Sequence, residues 1–477
     1  MENEYCTIGA ARMAGCTSAQ AVVEGDIPIP SGRSAQAILL SMGEVTVTGS
    51  EVRDGLVVME GRVRVQLVCS DAQGQYGFSS GAAFRHTITA QEARSNMGAR
   101  VFASLQSLEV RLSGPDNGIS LTAVVDISLR LTDASGVKAL SGIFGAPDLE
   151  LLKRPLSCVS ASYEEHAVHT RDEADAGEIV EVLCCDAQAG LNDRAGYGTL
   201  YVSALVRDAS GSLRGESYEF TFEHDLQDAV SVRVDSIYAR CMSEDFKTLV
   251  FEAQLTVTAV CASMLEHSVP TAAYSPCLPF EPVTERVCFL SYAGRLEECC
   301  TITESVALAP GLPAIHHAAY ASCRAGVTSS GVSGGKLYIE GLLFTNMIYH
   351  TDTGAYFSTV EDVPFSLALP APEADTADLD VRCIACVKGS TADRIRVEYT
   401  LFVCAELWSM PACSVVTGIE ASEPAPVPHG IIVYFALEGE TLFEVGKRFR
   451  MPTARIREAN PEAGDTLASG ERLMLIV

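Results

Sequence analysis

The sequence predicts a mainly β protein, with three tandem β-rich modules followed by a small α+β unit of strand, helix, helix and strand. Three observations predict it. Apolar residues alternate with period two through most of the chain, three blocks align with one another at a domain-sized interval, and the last 48 residues switch to helical spacing.

Residues 1–20 have no periodic pattern and read as a loose N-terminal tail. In the first module, 21–135, Val57, Met59, Val63, Val65, Leu67 and Cys69 alternate with Arg62, Arg64 and Gln66, which buries one strand face and wets the other. The run Leu56–Val65 aligns with Lys336–Thr345 of the third module, 284–410, and more loosely with Gly196–Val202 of the divergent second module, 155–262. Gly61, Gly198 and Gly341 then fall in register, 137 and 143 residues apart, far beyond a solenoid period of roughly 20–50 residues. Each run reaches a turn, at Asp71–Gly74, Asp208–Gly211 and Thr351–Gly354, suited to a hairpin. A second marker follows at Leu108–Arg111, Val230–Arg233 and Leu379–Arg382, and each block closes in a strand, at Leu121–Leu131, Leu249–Val260 and Ile395–Leu407. In the third module Tyr338, Leu342 and Phe344 make the opposite face apolar too, which predicts a more deeply covered strand.

Residues 411–429 read as a linker, whose Pro424–Pro428 is a semi-rigid spacer that would present the C-terminal unit independently. In 430–477, strand Ile431–Leu437 precedes Thr441 and Glu444, a capping box. Leu442, Val445 and Phe449 share one face of a first helix, Ile456 and Ala459 one face of a second, and Leu473–Val477 is the closing strand.

Gly439-Glu440-Thr441-Leu442, Ala459-Asn460 and Ser469-Gly470-Glu471 resemble the marker positions of LysM domains. The resemblance implies a shallow binding groove formed by Gly439, Glu440, Thr441, Leu442, Phe443, Asn460, Pro461, Glu462, Ala463 and Gly464, which in that family holds N-acetylglucosamine polymers or, in some members, a protein. Glu440 stands where the family has aspartate, and Pro452 where it has a capping Ser or Thr. Phe443, one residue after core-facing Leu442, is expected to point into the groove as its apolar anchor. The Glu60-Gly61 and Glu340-Gly341 strands, Ile27–Pro30 followed by Ala37–Leu40, and Pro364-Phe365, ahead of a LysM-like unit, resemble the SPOCS-domain spore-coat morphogenetic proteins of endospore-forming clostridia. That resemblance implies a non-enzymatic adaptor in endospore coat assembly. It would dock through its LysM domain on a coat-basement morphogenetic ATPase at the forespore surface, in the mother-cell cytoplasm, with other coat proteins as further partners. The alternative is a peptidoglycan-binding protein.

A formal charge of −27 argues against nucleic acid and anionic membranes as partners. No apolar run reaches the roughly 18–20 residues of a span, and Met1–Glu4 lacks the positive charge of a secretion signal, so a cytoplasmic location is expected. Cys383 and Cys386 have zinc-ligand spacing, but on a strand their sulfurs would face opposite ways, and no second pair follows. Cys184-Cys185 and Cys299-Cys300 share that problem. The 17 cysteines read as reduced core residues, with no disulfide expected. His166, His169 and His316-His317 read as surface histidines, so neither a metal, a cofactor nor a catalytic set is expected.

Overall fold

The computed structural model describes residues 3–477 other than 114–117, 145, 147, 193, 243–246 and 424–429. The spacer Pro424–Pro428 thus lies outside the described residues. Apart from the C-terminal unit, the described chain is antiparallel β. It begins with β1 (Asn3–Ile8), and the first six-stranded unit follows as β2 (Arg12–Ile27), β3 (Ala37–Arg53), β4 (Leu56–Asp71), β5 (Gly74–Thr89), β6 (Gly98–Ser113) and β7 (Gly118–Asp133). After β8 (Val137–Ile143) comes a second unit of β9 (Glu150–Asp175), β10 (Ile179–Leu191), β11 (Tyr197–Asp208), β12 (Leu213–Glu223), β13 (Ala229–Cys241) and β14 (Thr248–Tyr274). Next is β15 (Phe280–Cys288), then a third unit of β16 (Ser291–Ala307), β17 (His317–Ser333), β18 (Lys336–His350), β19 (Tyr356–Pro370), β20 (Thr376–Ser390) and β21 (Arg394–Ser409), and then β22 (Ala412–Ala421).

All three units have one topology. The second, third and fourth strands form one sheet, as β3-β4-β5, β10-β11-β12 and β17-β18-β19. The first, sixth and fifth form the other, as β2-β7-β6, β9-β14-β13 and β16-β21-β20. The period-two alternation explains each core: Val57, Met59, Val63, Val65 and Leu67 on β4 face Leu121, Val125 and Ile127 on β7 within one apolar cluster, and the other two units repeat the arrangement. Gly61, Gly198 and Gly341 occupy the same place, opposite Phe84, Phe222 and Phe365 on the neighbouring strand. Each phenylalanine ring lies where the glycine's Cβ would be, so a side chain there would expel the ring.

The units close into a ring. Strand β5 packs on β10, β12 on β17, and β19 on β3. Leu40 and Val68, Cys184 and Leu205, and Tyr320 and Ile348 form a shared apolar centre to which every unit contributes. At Gly77 any Cβ would overlap the Leu183 carbonyl of the next unit, so the backbones can meet there only without a side chain. The flanking strands repeat threefold as well. β1 pairs with β8, β15 with β22, and the outer halves of β9 and β14 with each other, giving three ribbons. Ile8, Val137, Leu156, Val269, Phe289 and Val415 bury their junction.

Four expectations are corrected here. Residues 3–8 and 12–20 are strand rather than loose tail, because β2 is a sheet-edge strand whose partner β7 supplies the strong apolar face. Much of the expected linker 411–429 is β22. The register sets Ala103 opposite Ile127 where the other units have Val232 opposite Val257 and Val381 opposite Val403, so Leu108–Arg111 lies further along its strand than the markers it was aligned with. On the second face of β18, Phe344 is covered by the Arg324 guanidinium, 4.2 Å from the ring centre, but Tyr338 remains 47% exposed.

Candidate functional site

The C-terminal unit consists of β23 (Ile431–Phe435), α1 (Leu442–Phe449), α2 (Thr453–Ala459) and β24 (Arg472–Ile476), the two strands antiparallel. Thr441 caps α1: its hydroxyl accepts from Glu444 N at 3.2 Å, and the Glu444 carboxylate accepts from Thr441 N at 2.8 Å. Leu442, Val445, Ile456, Leu473 and Leu475 form the small core.

Most of the ten groove residues expected from the sequence hold the unit together. Glu440 is buried and accepts from Tyr434 Oη at 2.8 Å and Leu437 N at 3.1 Å, with Arg448 at 2.9 Å. Burial works to raise its pKa, but these donors together hold the carboxyl below its usual range. Asn460 ties α2 to β24, donating to Met474 O at 2.9 Å and accepting from Met474 N at 2.7 Å. Backbone bonds from Leu442 N to Asp465 O and from Leu467 N to Glu440 O join the chain around Glu440–Leu442 directly to the segment that follows Gly464. Gly439, Pro461, Glu462 and Gly464 remain exposed, Thr441 and Ala463 are half-buried, and Leu442 belongs to the core.

Phe443 does not point into an open groove. It packs edge-on against Tyr274 at the end of β14, centroids 4.9 Å apart, and is buried. Tyr274 Oη donates to Met451 O at 2.8 Å. Pro452 has no side chain to cap α2, and Glu150 at the start of β9 takes that role, accepting from Thr453 N at 3.1 Å and Thr453 Oγ1 at 2.9 Å. The C-terminal unit is therefore seated on the ribbon of the middle unit, not presented independently.

What the unit presents instead is the outer face of its two-stranded sheet. Ile431, Val433 and Phe435 on β23, with Met474 and Ile476 on β24, are each 45–71% exposed, and Leu437 beside them is 65% exposed. The register sets Ile431 opposite Ile476 and Val433 opposite Met474, so the five form one contiguous patch. Sequence reasoning missed this face. Its signal was an uninterrupted apolar run, Ile431–Leu437, in a two-layer unit that can bury only one side of its sheet.

The other candidates are dispersed. His166 and His169 lie on β9, His166 beside Glu164 at 3.3 Å, both side chains about half exposed. His316 pairs with Asp352 at 2.7 Å, and His316 and His317 lie near His350. Among the described residues no three His, Cys, Asp or Glu side chains gather as a metal site. No helix there is long and apolar enough to cross a membrane. Cys383 is buried in the core of the third unit, whereas Cys386 borders a cavity of about 280 Å³ between the second and third units. Comparison with known proteins returned no matching family model, no matching curated protein and no matching solved structure.

Proposed function

We propose that this protein is a non-enzymatic adaptor, a SipL-like spore-coat morphogenetic protein whose C-terminal LysM-like unit docks on a coat-basement ATPase at the forespore surface in the mother cell. The observation that carries the reading is the exposed apolar sheet face of Ile431, Val433, Phe435, Met474 and Ile476. A contiguous patch of large apolar side chains on a small unit is the kind of surface that protein partners cover. Glycan recognition relies on polar groups at a groove, and here Glu440 and Asn460 spend theirs inside the unit. The sequence resemblance implies which protein the partner would be, and the exposed patch supports a protein-binding role. The three β units, read as SPOCS modules, would offer the contacts for other coat proteins.

Titration of the full chain against the purified ATPase and against N-acetylglucosamine oligomers tests this. Binding to the ATPase, weakened by about 1–3 kcal/mol in Phe435→Ala, is expected. Binding to the sugar alone would establish the peptidoglycan reading in its place.

A further inference from the structure

In every unit the two sheets meet along a seam with no backbone ladder across it. The strands on its two sides, β3 and β6, β10 and β13, β17 and β20, are edge strands of different sheets. One position on this seam can be followed through all three units. Opposite Val65, Val202 and Thr345, which follow the three equivalent glycines at equal distance, stand Gly43, Ala187 and Cys323. Opposite Val125, Leu255 and Leu401, on the last strand of each unit, stand Leu105, Val234 and Cys383. The first unit fills the seam with Leu105, which together with Leu108 crowds the space a Cβ on Gly43 would take. The second has alanine and valine there. The third places two thiols in the same space, with Cys323 Sγ and Cys383 Sγ 2.6 Å apart. That is closer than the roughly 3.5–4.0 Å at which non-bonded heavy atoms pack.

We propose that Cys323 and Cys383 are a redox pair, two thiols that oxidation by hydrogen peroxide converts to a covalent bond across the sheet seam of the third unit. The Cys323 thiolate would attack one peroxide oxygen, breaking the O–O bond, with hydroxide leaving and a sulfenic acid formed. The Cys383 sulfur would then attack the Cys323 sulfur, breaking its S–O bond. A second hydroxide leaves, and with the two thiol protons the oxygens end as two waters while the peroxide is reduced by two electrons. Cys323 is the less deeply covered residue of the two and Cys383 is 3% exposed, so Cys323 is taken as the attacking thiol. Burial raises the Cys323 pKa, and the neighbouring Cys383 raises it further, so the reaction is slow at neutral pH and faster in mild alkali. The equivalent seam positions hold Gly43 and Leu105 in the first unit and Ala187 and Val234 in the second, so the bond would be confined to one seam of three.

The test treats the full chain with hydrogen peroxide, blocks remaining thiols with an alkylating agent, and maps non-reduced peptides by mass spectrometry. The expected result is a peptide linking Cys323 to Cys383, two hydrogens lighter than its parts and lost on reduction. The unfolding midpoint should also rise by some degrees on oxidation and return with reductant. In Cys323→Ala with Cys383→Val, which copies the second unit, the peroxide-dependent rise should vanish. Recovery of both cysteines fully alkylated, after the exposed thiols have been oxidised, would overturn the proposal. So would an equal rise in the double variant. Should that variant fail to fold, the peptide map of the wild-type chain still decides.

Discussion

Asp186 lies on β10 where the ring units meet, one residue after Cys185, whose backbone exchanges hydrogen bonds with the Gln66 side chain of the first unit. Burial, and then the like charge of Glu44, raise its pKa to about 7, against the Ala187 N–H that favours its anion. An acid whose folded pKa is raised binds more protons folded than unfolded. Its penalty is absent below the unfolded value, grows as pH rises, and is complete above about 7. Asp186→Asn should therefore stabilise the chain by about 1–3 kcal/mol at pH 8 and leave it unchanged near pH 4, as denaturant titrations at both values would show. At Gly341 the effect runs the other way. Gly341→Val should cost about 1–3 kcal/mol or more, since Phe365 and the Gly326 carbonyl already occupy the space, while Val at exposed Gly331 should cost far less. Gly341 was legible in the sequence from its alignment with Gly61 and Gly198, but the phenylalanine that requires it was not, because the pairing of β18 with β19 is a fact of register.

At the scale of elements, the C-terminal unit is held by contacts distant in sequence. Phe443 rests on Tyr274, and Glu150 caps a helix whose own N-cap is proline. Phe443→Ala and Glu150→Ala should each release the unit from the ribbon, at about 1–2 kcal/mol for the aromatic pair with its burial and about 0.5–2 for the cap. Faster limited proteolysis that separates the C-terminal unit from the β units, with an unchanged midpoint for the β units, would register the release. The strands, both helices and the capping box of this unit could be read from local pattern, because each is set by residues a few positions apart. The direction of Phe443 could not: its surroundings come from a strand far back in the chain. Residues 3–20 were misread for a similar reason. An edge strand needs little apolar alternation of its own when β7 supplies the face.

At the scale of the whole molecule, ring closure rests on polar contacts as well as the apolar centre, and one of these junctions gathers charged side chains from two units. At the equivalent paired positions of β6–β7 and β20–β21, the first unit carries Arg100 and Arg130 and the third carries Asp378 and Glu406. Arg130 meets Asp378 at 2.7 Å and lies over the Trp408 ring, Arg100 pairs with Glu406, and Tyr163 of the middle unit donates to Glu406 at 2.7 Å. Burial works to raise the Glu406 pKa, but Arg100, Tyr163 and Arg295 together hold it below its usual range. Arg100→Ala would remove one of the three partners of that carboxylate, leaving Arg295 and Tyr163, and should destabilise the chain by about 1–3 kcal/mol, with the loss smaller at acid pH. Small-angle scattering offers a separate check on closure: a ring predicts a radius of gyration near 23 Å, and separate modules in a row a clearly larger one. None of this was visible in the sequence, because the junction joins residues of separate strands more than 240 positions apart along the chain.

Because the three units share one backbone, the ring is in effect a trimer that dilution cannot take apart. Three separate chains would assemble only above their dissociation constant, whereas linked units meet at an effective concentration on the order of millimolar whatever their abundance. The linkage also fixes a count. A homotrimer of single units would carry three C-terminal units and three identical ribbon ends, but this chain carries one, seated by Tyr274 and Glu150 on the ribbon of the middle unit. Whatever the exposed sheet of that unit captures would thus be recruited one copy per ring, at a single end.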